Sequence, residues 1–410
     1  MPFFGGSTFT GGPKTRSSLP QCGACGLYRR CKTPKMQPTG GGKRSILVIA
    51  ESPSTDDDEA GTHFVGQSGQ FLEERMARVG ISLRDDCWMH YAVICHPTTR
   101  DGNRRAANEN EQTYCMPNVK KAIDELKPKV IVTLGHYALG SVVDGIWTEP
   151  LQSVARWAGW QIPCQKYNAW ICPLYSPGYV MTELAMAKGR PVAVSGMFDR
   201  HVKAIKRLKE RPWVAVPNYK NEIEVIFDEK QVVQYLHKFT KRGGPISFDY
   251  ETNMLKPEHK DARIYAVSIC WHGRKTIAFP FGGRPVRNAL RRLLTAGHPL
   301  ISQNLKFEDR WSRIKLGVTP TTWAWDTMNQ GHVLDNRDWG TALDFQTFVH
   351  LGFGSWNAGI SEFLEADGSY KKNQIHKIDF ASLCLYCGTD SYVTYLLAQK
   401  QRKLMNLEPL

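Results

Sequence analysis

The sequence predicts an α/β protein of two domains. In the first half, short apolar runs bounded by turn residues alternate with helical patterns, starting with Ile46–Ala50. This alternation is typical of a three-layer α/β/α domain with a mostly parallel sheet. The second half has a helix, three successive strands and then several helices, which indicates an α+β domain with a mixed sheet. A length of 410 residues also favours two cores over one.

Each element of the first half follows from hydrophobic periodicity and turn signals. Residues 1–19, rich in Gly, Ser and Thr, are expected to form a flexible leader, and 20–210 the first domain. Strands are expected at 46–50, 90–94, 129–135 and 169–175, and helices at 70–79, 108–126, 136–143 and 196–210.

Prolines near residues 211–218 predict a linker, so the second domain is expected to span 211–410. Within it, strands are expected at 245–251, 263–271 and 275–280, and helices at 228–242, 286–294, 307–316, 326–334 and 379–403.

Composition limits the possible partners and compartments. A net charge of +14 and a pI near 9.2 favour a polyanion such as DNA or RNA. No apolar run approaches a membrane span, and residues 1–18 lack the apolar stretch of a signal peptide, so we expect a cytoplasmic protein without a membrane partner. In that compartment the eleven cysteines should not form a disulfide framework.

Acidic residues in the second half are spaced for metal binding. Asp249 and Glu251 lie two apart on a predicted strand and therefore face the same side. Glu308 opens a predicted helix, and Tyr386 and Asp390 are one helical turn apart. Carboxylates that converge repel one another unless cations neutralise them, and hard oxygen ligands favour Mg²⁺ or Mn²⁺. Two such ions can hydrolyse a phosphodiester.

The order of these motifs over about residues 212–405 resembles the DEDDy 3′→5′ exonucleases, especially the proofreading domain of family-A DNA polymerases. The resemblance implies a ribonuclease H-like fold. It also implies that Asp249, Glu251 and Asp390 bind two Mg²⁺ or Mn²⁺ ions and that Tyr386 orients the attacking water. Asn304 and Lys306 would support the site. The second-motif acid aligns with Glu308, although the adjacent Asp309 is an alternative.

Cysteines and strand ends of the first half resemble the iron–sulfur uracil-DNA glycosylases of family 4, over about residues 20–208. The resemblance implies a [4Fe–4S] cluster held by Cys22, Cys25, Cys95 and Cys115. Cys31 is a possible substitute for one of them, because the stretch 22–36 also looks like N-terminal extensions of phage family-A polymerases.

The glycosylase-like pocket keeps two family residues and departs at two others. Glu51 and Phe64 match the family, the latter as a platform for an extruded base. Tyr91 stands where the family has a base-binding Asn, and Ser176 where it has a His. Glu51 has an alternative role as a capping carboxylate. We therefore expect glycosylase activity to be weak or absent.

The sequence thus predicts a phage-type replication protein, in the host cytoplasm if phage-encoded. A glycosylase-like module for DNA binding or docking would be fused to an exonuclease acting on single-stranded or frayed 3′ ends of DNA. No polymerase palm is found in the sequence, so we expect either a separate polymerase subunit, or a chain that is an N-terminal fragment or a stand-alone nuclease. The alternatives are a uracil-DNA glycosylase of base excision repair and a non-catalytic DNA-binding scaffold.

Overall fold

The structure is a computed structural model that describes residues 17–208, 218–338, 340–356, 359–365 and 372–410. The chain divides into two compact units, 1–214 and 215–410. Most of the predicted leader and linker therefore lies outside the described residues. Among those described, no helix combines the length and apolar character needed to cross a bilayer.

The first unit is a sheet covered by helices on both faces. Its strands are β1 (Ile46–Ala50), β2 (Cys87–Tyr91), β3 (Val130–Leu134), β4 (Ile162–Cys164) and β5 (Ala169–Leu174). Its helices are α1 (Cys22–Cys25), α2 (Thr55–Ala60), α3 (Gln67–Arg78), α4 (Glu109–Leu126), α5 (His136–Val143), α6 (Val154–Trp157), α7 (Pro177–Met186) and α8 (Ala193–Ile205).

The strand order is β2-β1-β3-β5-β4, with four parallel strands and β4 antiparallel at one edge. In β1, Ile46 and Val48 join a core with Met76 and Phe198. The alternate residues of β1 are fully buried as well. Burial on both faces explains the unbroken apolar run and confirms the predicted three-layer fold.

The second unit is built on a six-stranded mixed sheet. Its strands are β6 (Ile223–Val225), β7 (Ile246–Thr252), β8 (Ile264–Trp271), β9 (Lys275–Pro280), β10 (Leu300–Ser302) and β11 (Trp323–Asp326). Its helices are α9 (Tyr219–Glu222), α10 (Glu229–Arg242), α11 (Arg284–Leu294), α12 (Leu305–Trp311), α13 (Thr327–Leu334), α14 (Leu343–Leu351), α15 (Ser361–Leu364) and α16 (Phe380–Leu404).

The strand order is β11-β10-β7-β8-β9-β6. Strands β7, β8 and β9 form an antiparallel meander, whereas β10 is parallel to β7, β11 to β10 and β6 to β9. Helices α10 and α11 contribute to the core on one face, and the 25-residue α16 packs against β6–β10. The predicted α+β class with a mixed sheet is confirmed.

Several predicted boundaries were wrong for local reasons. The second strand ends at Tyr91 rather than Ile94, because the backbone bends at residues 92–93. The helix predicted at 307–316 is α12 followed by a π-helix, Ser312–Leu316, that ends at Gly317 with φ of 68°. The last helix of the first unit spans Ala193–Ile205 rather than 196–210, and residues 209–210 lie outside the described part.

Candidate functional site

Strand β7 carries the first two predicted acids at the centre of the second sheet. Asp249 and Glu251 lie on one face of the strand, opposite Ser268 and Ala266 of β8 in the antiparallel register. Tyr250 between them points to the other face, where its hydroxyl lies 2.9 Å from Ser312 Oγ. The strand alternation therefore directs both carboxylates toward α16.

Helix α16 lies close against this face because two strand serines bind its backbone. Ser247 Oγ donates to the carbonyl of Ser391 and Ser268 Oγ donates to the carbonyl of Cys387, both at 2.7 Å. Gly388 permits the approach, since a Cβ at this position would lie 2.5 Å from Ile223 Cγ2. The helix thus brings Tyr386 and Asp390 to the acids of β7.

Glu308 enters the same pocket from α12. The turn before this helix requires a left-handed residue, Asn304 with φ of 62°. Asp326, at the end of β11, accepts hydrogen bonds from the amides of Asn304 and Leu305 at 3.0 and 3.2 Å. The Glu308 side chain is buried, and its Oε2 atom has no hydrogen-bond partner among the described residues. A buried, unpartnered carboxylate oxygen fits a cation ligand.

The structure separates the two candidate acids of α12. Asp309 forms a salt bridge with Arg313, with 2.7 Å between Oδ2 and Nε. Glu308 instead interacts electrostatically with Asp249 and Asp390. The geometry therefore favours Glu308 as the residue that completes the acidic pocket. Lys306 is exposed, and Asn304 contributes through its backbone geometry.

Burial and mutual repulsion shift the acids of this pocket toward their protonated forms. Burial raises the pKa of Asp249 to about 7. The pKa of Glu251 rises well above its ordinary value through burial and the negative charges of Asp249, Asp390 and Glu308. Burial and Asp249 also raise the pKa of Asp390. Acids gathered in this way are stabilised in their ionised forms by divalent cations, so the residues present fit a metal site.

Tyr386 shares this environment. Burial raises the pKa of its phenol well above the ordinary value, and the charges of Asp390, Glu251 and Asp249 raise it further. The phenol therefore stays protonated at neutral pH and keeps an O–H donor beside the carboxylates.

Two contacts of the acidic pocket were not predicted. The indole Nε1 of Trp356 donates to Asp390 Oδ1 at 2.6 Å. Cys387 lies with its sulfur 3.7 Å from Asp249 Oδ2. Its position directly after Tyr386 was available from the sequence, but its orientation depends on how α16 packs.

In the first unit, four predicted cysteines line one cavity. Cys22, Cys25, Cys95 and Cys115 share it with Tyr28, Val93, Ile94 and Tyr114. Helix α1 supplies the first two cysteines, the segment after β2 the third, and α4 the fourth. Four thiols around a common space are the donor set that an iron–sulfur cluster requires.

Backbone amides point at these sulfur atoms. The amide of Lys35 lies 3.3 Å from Cys95 Sγ, and the amide of Ile94 lies 3.4 Å from Cys115 Sγ. Hydrogen bonds to sulfur stabilise the negative charge of cluster thiolates. Cys31 does not line the cavity, although its thiol interacts with Cys95. The geometry therefore favours the set with Cys115 over the set with Cys31.

Glu51, directly after β1, binds the start of α5. Its Oε1 accepts hydrogen bonds from the amides of His136 and Tyr137 at 2.9 and 3.3 Å. Gly135, with φ of 93°, makes room for it, because a Cβ there would lie 2.7 Å from the carboxylate. This is the capping role that the sequence left open.

The hydroxyl group of Tyr91 makes two hydrogen bonds to other residues of the pocket. Its hydroxyl donates to Asp57 Oδ2 at 2.9 Å and accepts from the amide of Phe64 at 3.1 Å. Its ring stacks on His63 with 4.7 Å between centroids and lies 5.4 Å from the Phe64 ring. Phe64 is buried rather than open to a base. Ser176 caps α7 through the amide of Tyr179.

Comparison with known proteins places the first unit in a family. A sequence model of the uracil DNA glycosylase superfamily matches residues 38–194. The type-4 uracil-DNA glycosylase of Pyrobaculum aerophilum is 30% identical over 183 residues, which are 42% of this chain and 86% of that protein. The match to the Sulfurisphaera tokodaii enzyme is also 30% identical, but spans only 54% of that protein.

A different relative covers nearly half of the chain. DNA polymerase I of Synechocystis is 26% identical over 199 residues, which are 46% of this chain but 19% of the polymerase. Among solved structures, ribonuclease D of Trypanosoma brucei aligns with 13% identity and a TM-score of 0.34, over 44% of this chain and 64% of that chain.

The glycosylase relative from Pyrobaculum is matched over most of its length, and its match agrees with the α/β/α architecture of the first unit. Through that unit, the chain belongs to the type-4 uracil-DNA glycosylase family.

Proposed function

We propose that the second unit is a 3′→5′ DNA exonuclease of the proofreading type, which releases 5′-mononucleotides. The observation that carries this proposal is the pocket in which acidic side chains from β7, α12 and α16 meet. Burial and the charges of neighbouring carboxylates raise the pKa values of Glu251, Glu308 and Asp390 there. Acids this close, including one unpartnered carboxylate oxygen, would be costly in a purely structural role.

In this proposal Asp249, Glu251 and Asp390 hold two Mg²⁺ or Mn²⁺ ions, with Glu308 completing the set. The ions would supply activation of water and stabilisation of the leaving oxygen. Tyr386 keeps its proton and orients the attacking water by hydrogen bonding. Asp326 positions Glu308 by fixing the first turn of α12.

DNA is the proposed substrate because of the positive charge of +14 and the nature of both relatives, which are named as DNA enzymes. We further propose that the protein acts in phage-type replication with a separate polymerase subunit.

A primer-degradation assay tests the exonuclease. The full chain with Mg²⁺ and a 5′-labelled primer should give a descending ladder, which EDTA should abolish. Asp249→Ala should abolish it as well. Asp261→Ala is the matched control, because this half-exposed carboxylate of the same unit pairs with Lys372 at 3.2 Å. An intact ladder from Asp249→Ala would refute the proposal.

For the first unit we propose a [4Fe–4S] cluster on Cys22, Cys25, Cys95 and Cys115 and a role in DNA binding or docking. Uracil excision is expected to be weak or absent. The support is that Tyr91 binds Asp57 and Phe64 where the family has a base-binding residue, and that Ser176 has no imidazole to stabilise charge on the base.

Family membership favours uracil excision as the second candidate function. Incubation with a uracil-containing duplex followed by alkali would reveal it as strand cleavage. Glu51→Ala is the control, and cleavage that depends on Glu51 would replace the docking role with a glycosylase. A non-catalytic scaffold would instead bind DNA without divalent metal and lose affinity steeply as salt rises.

A further inference from the structure

A buried thiol lies in the acidic pocket of the second unit. Cys387 is fully buried, and its sulfur lies 3.7 Å from both the backbone oxygen and Oδ2 of Asp249. Ligand atoms of Asp249, Glu251 and Cys387 all lie within 4.8 Å of one another. Two hard oxygen donors and one soft sulfur donor therefore face a common point.

The spacing suits one tetrahedral ion. Zn²⁺ binds sulfur at about 2.3 Å and carboxylate oxygen at about 2.0–2.2 Å, so two such ligands on one ion lie about 3.5 Å apart. The observed 3.7 Å between Cys387 Sγ and Asp249 Oδ2 needs only a small adjustment.

A second observation points to a cation at the same place. Glu308 is 2% exposed, and its Oε2 has no hydrogen-bond partner in the part of the chain that the structure describes. Its charge interacts with Asp249, so the unpartnered oxygen belongs to the same pocket. The pocket thus contains a thiol together with carboxylates that a cation would stabilise.

We propose that Asp249, Glu251 and Cys387 form a site for a thiophilic divalent cation, Zn²⁺ or Cd²⁺, that overlaps the Mg²⁺ site and blocks cleavage. On binding, the S–H bond of Cys387 breaks, its proton leaves to solvent, and a sulfur–metal bond forms without any change of oxidation state. Mg²⁺ and Mn²⁺ prefer oxygen and would leave the thiol protonated. The blocking of cleavage rests on the proposed exonuclease function, whereas the metal site itself does not.

Cadmium binding tests the site without reference to activity. The full chain titrated with ¹¹³Cd²⁺ should give an NMR resonance typical of one sulfur with oxygen ligands, distinct from any resonance of the all-sulfur cysteine cavity. Cys387→Ser should remove it. Cys270→Ser, which alters another fully buried thiol of the same unit, should leave it unchanged. Persistence of the one-sulfur resonance in Cys387→Ser would overturn the proposal.

Asp249→Asn gives the same test from the carboxylate side, in case Cys387→Ser fails to fold. It should also remove or strongly shift the one-sulfur resonance while the all-sulfur signal stays. A resonance indifferent to both substitutions refutes the shared site.

An activity assay tests the consequence. Cleavage of a labelled primer in excess Mg²⁺ should be inhibited by Cd²⁺ in the wild-type protein and in Cys270→Ser. In Cys387→Ser, half-inhibition should need at least about ten-fold more Cd²⁺, because even outer-shell partners of a metal cost about 10–100-fold in affinity. Equal Cd²⁺ sensitivity would contradict the overlap. Failure of every form to cleave in Mg²⁺ would refute the exonuclease, and the NMR result would still decide the metal site.

Discussion

Glu308→Gln should stabilise the metal-free protein at pH 8 while it impairs metal-dependent cleavage. The substitution keeps the shape of a side chain that is 2% exposed and removes its negative charge. Burial and the negative charges of Asp249, Asp326 and Asp390 raise the pKa of Glu308, so a charge on this side chain is unfavourable in the metal-free pocket. Its removal relieves both the burial of a charge and the repulsion.

The size of the expected stabilisation follows from the pKa shift of the neighbouring acid, Asp249. Burial raises the pKa of Asp249 from 3.8 to about 7, and each pKa unit corresponds to about 1.4 kcal/mol. Ionising one acid of this pocket therefore costs the folded state about 4 kcal/mol. The new Gln amide would lack a full set of hydrogen bonds and lose about 1–3 kcal/mol of that gain. A net stabilisation of about 1–3 kcal/mol corresponds to a rise of a few degrees in Tm for a unit of this size.

The pH dependence has a definite sign. Because the folded pKa of Asp249 is raised, the metal-free folded state holds more protons than the unfolded chain between pH 4 and 7. The resulting stability is fully present below about pH 4 and is lost as pH rises through about 7. Wild-type protein in EDTA should therefore be more stable at pH 5 than at pH 8 from this source, and Mg²⁺ should restore stability at pH 8.

Scanning calorimetry in EDTA and in Mg²⁺, at pH 5 and pH 8, checks these expectations on the Mg²⁺-sensitive transition. Asp309→Asn is the matched control, since Asp309 pairs with Arg313 and should gain nothing from losing its charge. At pH 5, where little of the charge penalty remains to be relieved, Glu308→Gln should be no more stable than wild type. If Glu308→Gln melts below wild type in EDTA at pH 8, or Asp309→Asn gains as much, the assignment of Glu308 to the pocket is wrong.

Trp356→Phe removes the 2.6 Å hydrogen bond to Asp390, a charged acceptor, and should lower the primer-cleavage rate about ten-fold. Stabilisation of this variant by Mg²⁺ in calorimetry would show that its fold is retained. The proposed [4Fe–4S] cluster should give the protein a brown colour and bound iron, which Cys115→Ser should abolish and Cys31→Ser should leave unchanged. The reverse pattern would make Cys31 the fourth ligand. Tyr91→Phe leaves the buried amide of Phe64 without its acceptor and removes one hydrogen bond from Asp57 Oδ2, which keeps the bond from the Ser54 amide. It should destabilise the first unit by about 1–3 kcal/mol without creating uracil excision, as unfolding in urea and the alkali assay would measure.

Periodicity predicted the elements that carry the sites. The strand at 46–50 and the helix at 136–143 have the predicted bounds, because Gly and polar turn residues flank continuous apolar runs. The helix predicted at 108–126 is observed over Glu109–Leu126, with Asn108 as its N-cap. Short elements such as β6, with three residues, carry too little pattern to be found, since their place in the sheet is fixed by tertiary pairing.

Residue type and spacing predicted which acids meet, but not how they are held. The choice between Glu308 and Asp309 depends on the rotation of α12, which is set by the left-handed Asn304 and by Asp326. The contact of Trp356 with Asp390 joins residues 34 apart in sequence through no local pattern. Such contacts follow from packing of the whole unit, which a single sequence does not encode in any short window.

The attachment of α16 by Ser247, Ser268 and Gly388 has a consequence for how this unit tolerates change. One residue inserted into the helix between Phe380 and Tyr386 would turn everything on one side of it by about 100° relative to the other. Because the two serines hold the part of α16 that carries Tyr386 and Asp390, the rotation would be taken up at the start of the helix. The positions of these two side chains would then not change. Insertions and deletions are therefore expected to be tolerated before the part of the helix that the serines hold, but not within it.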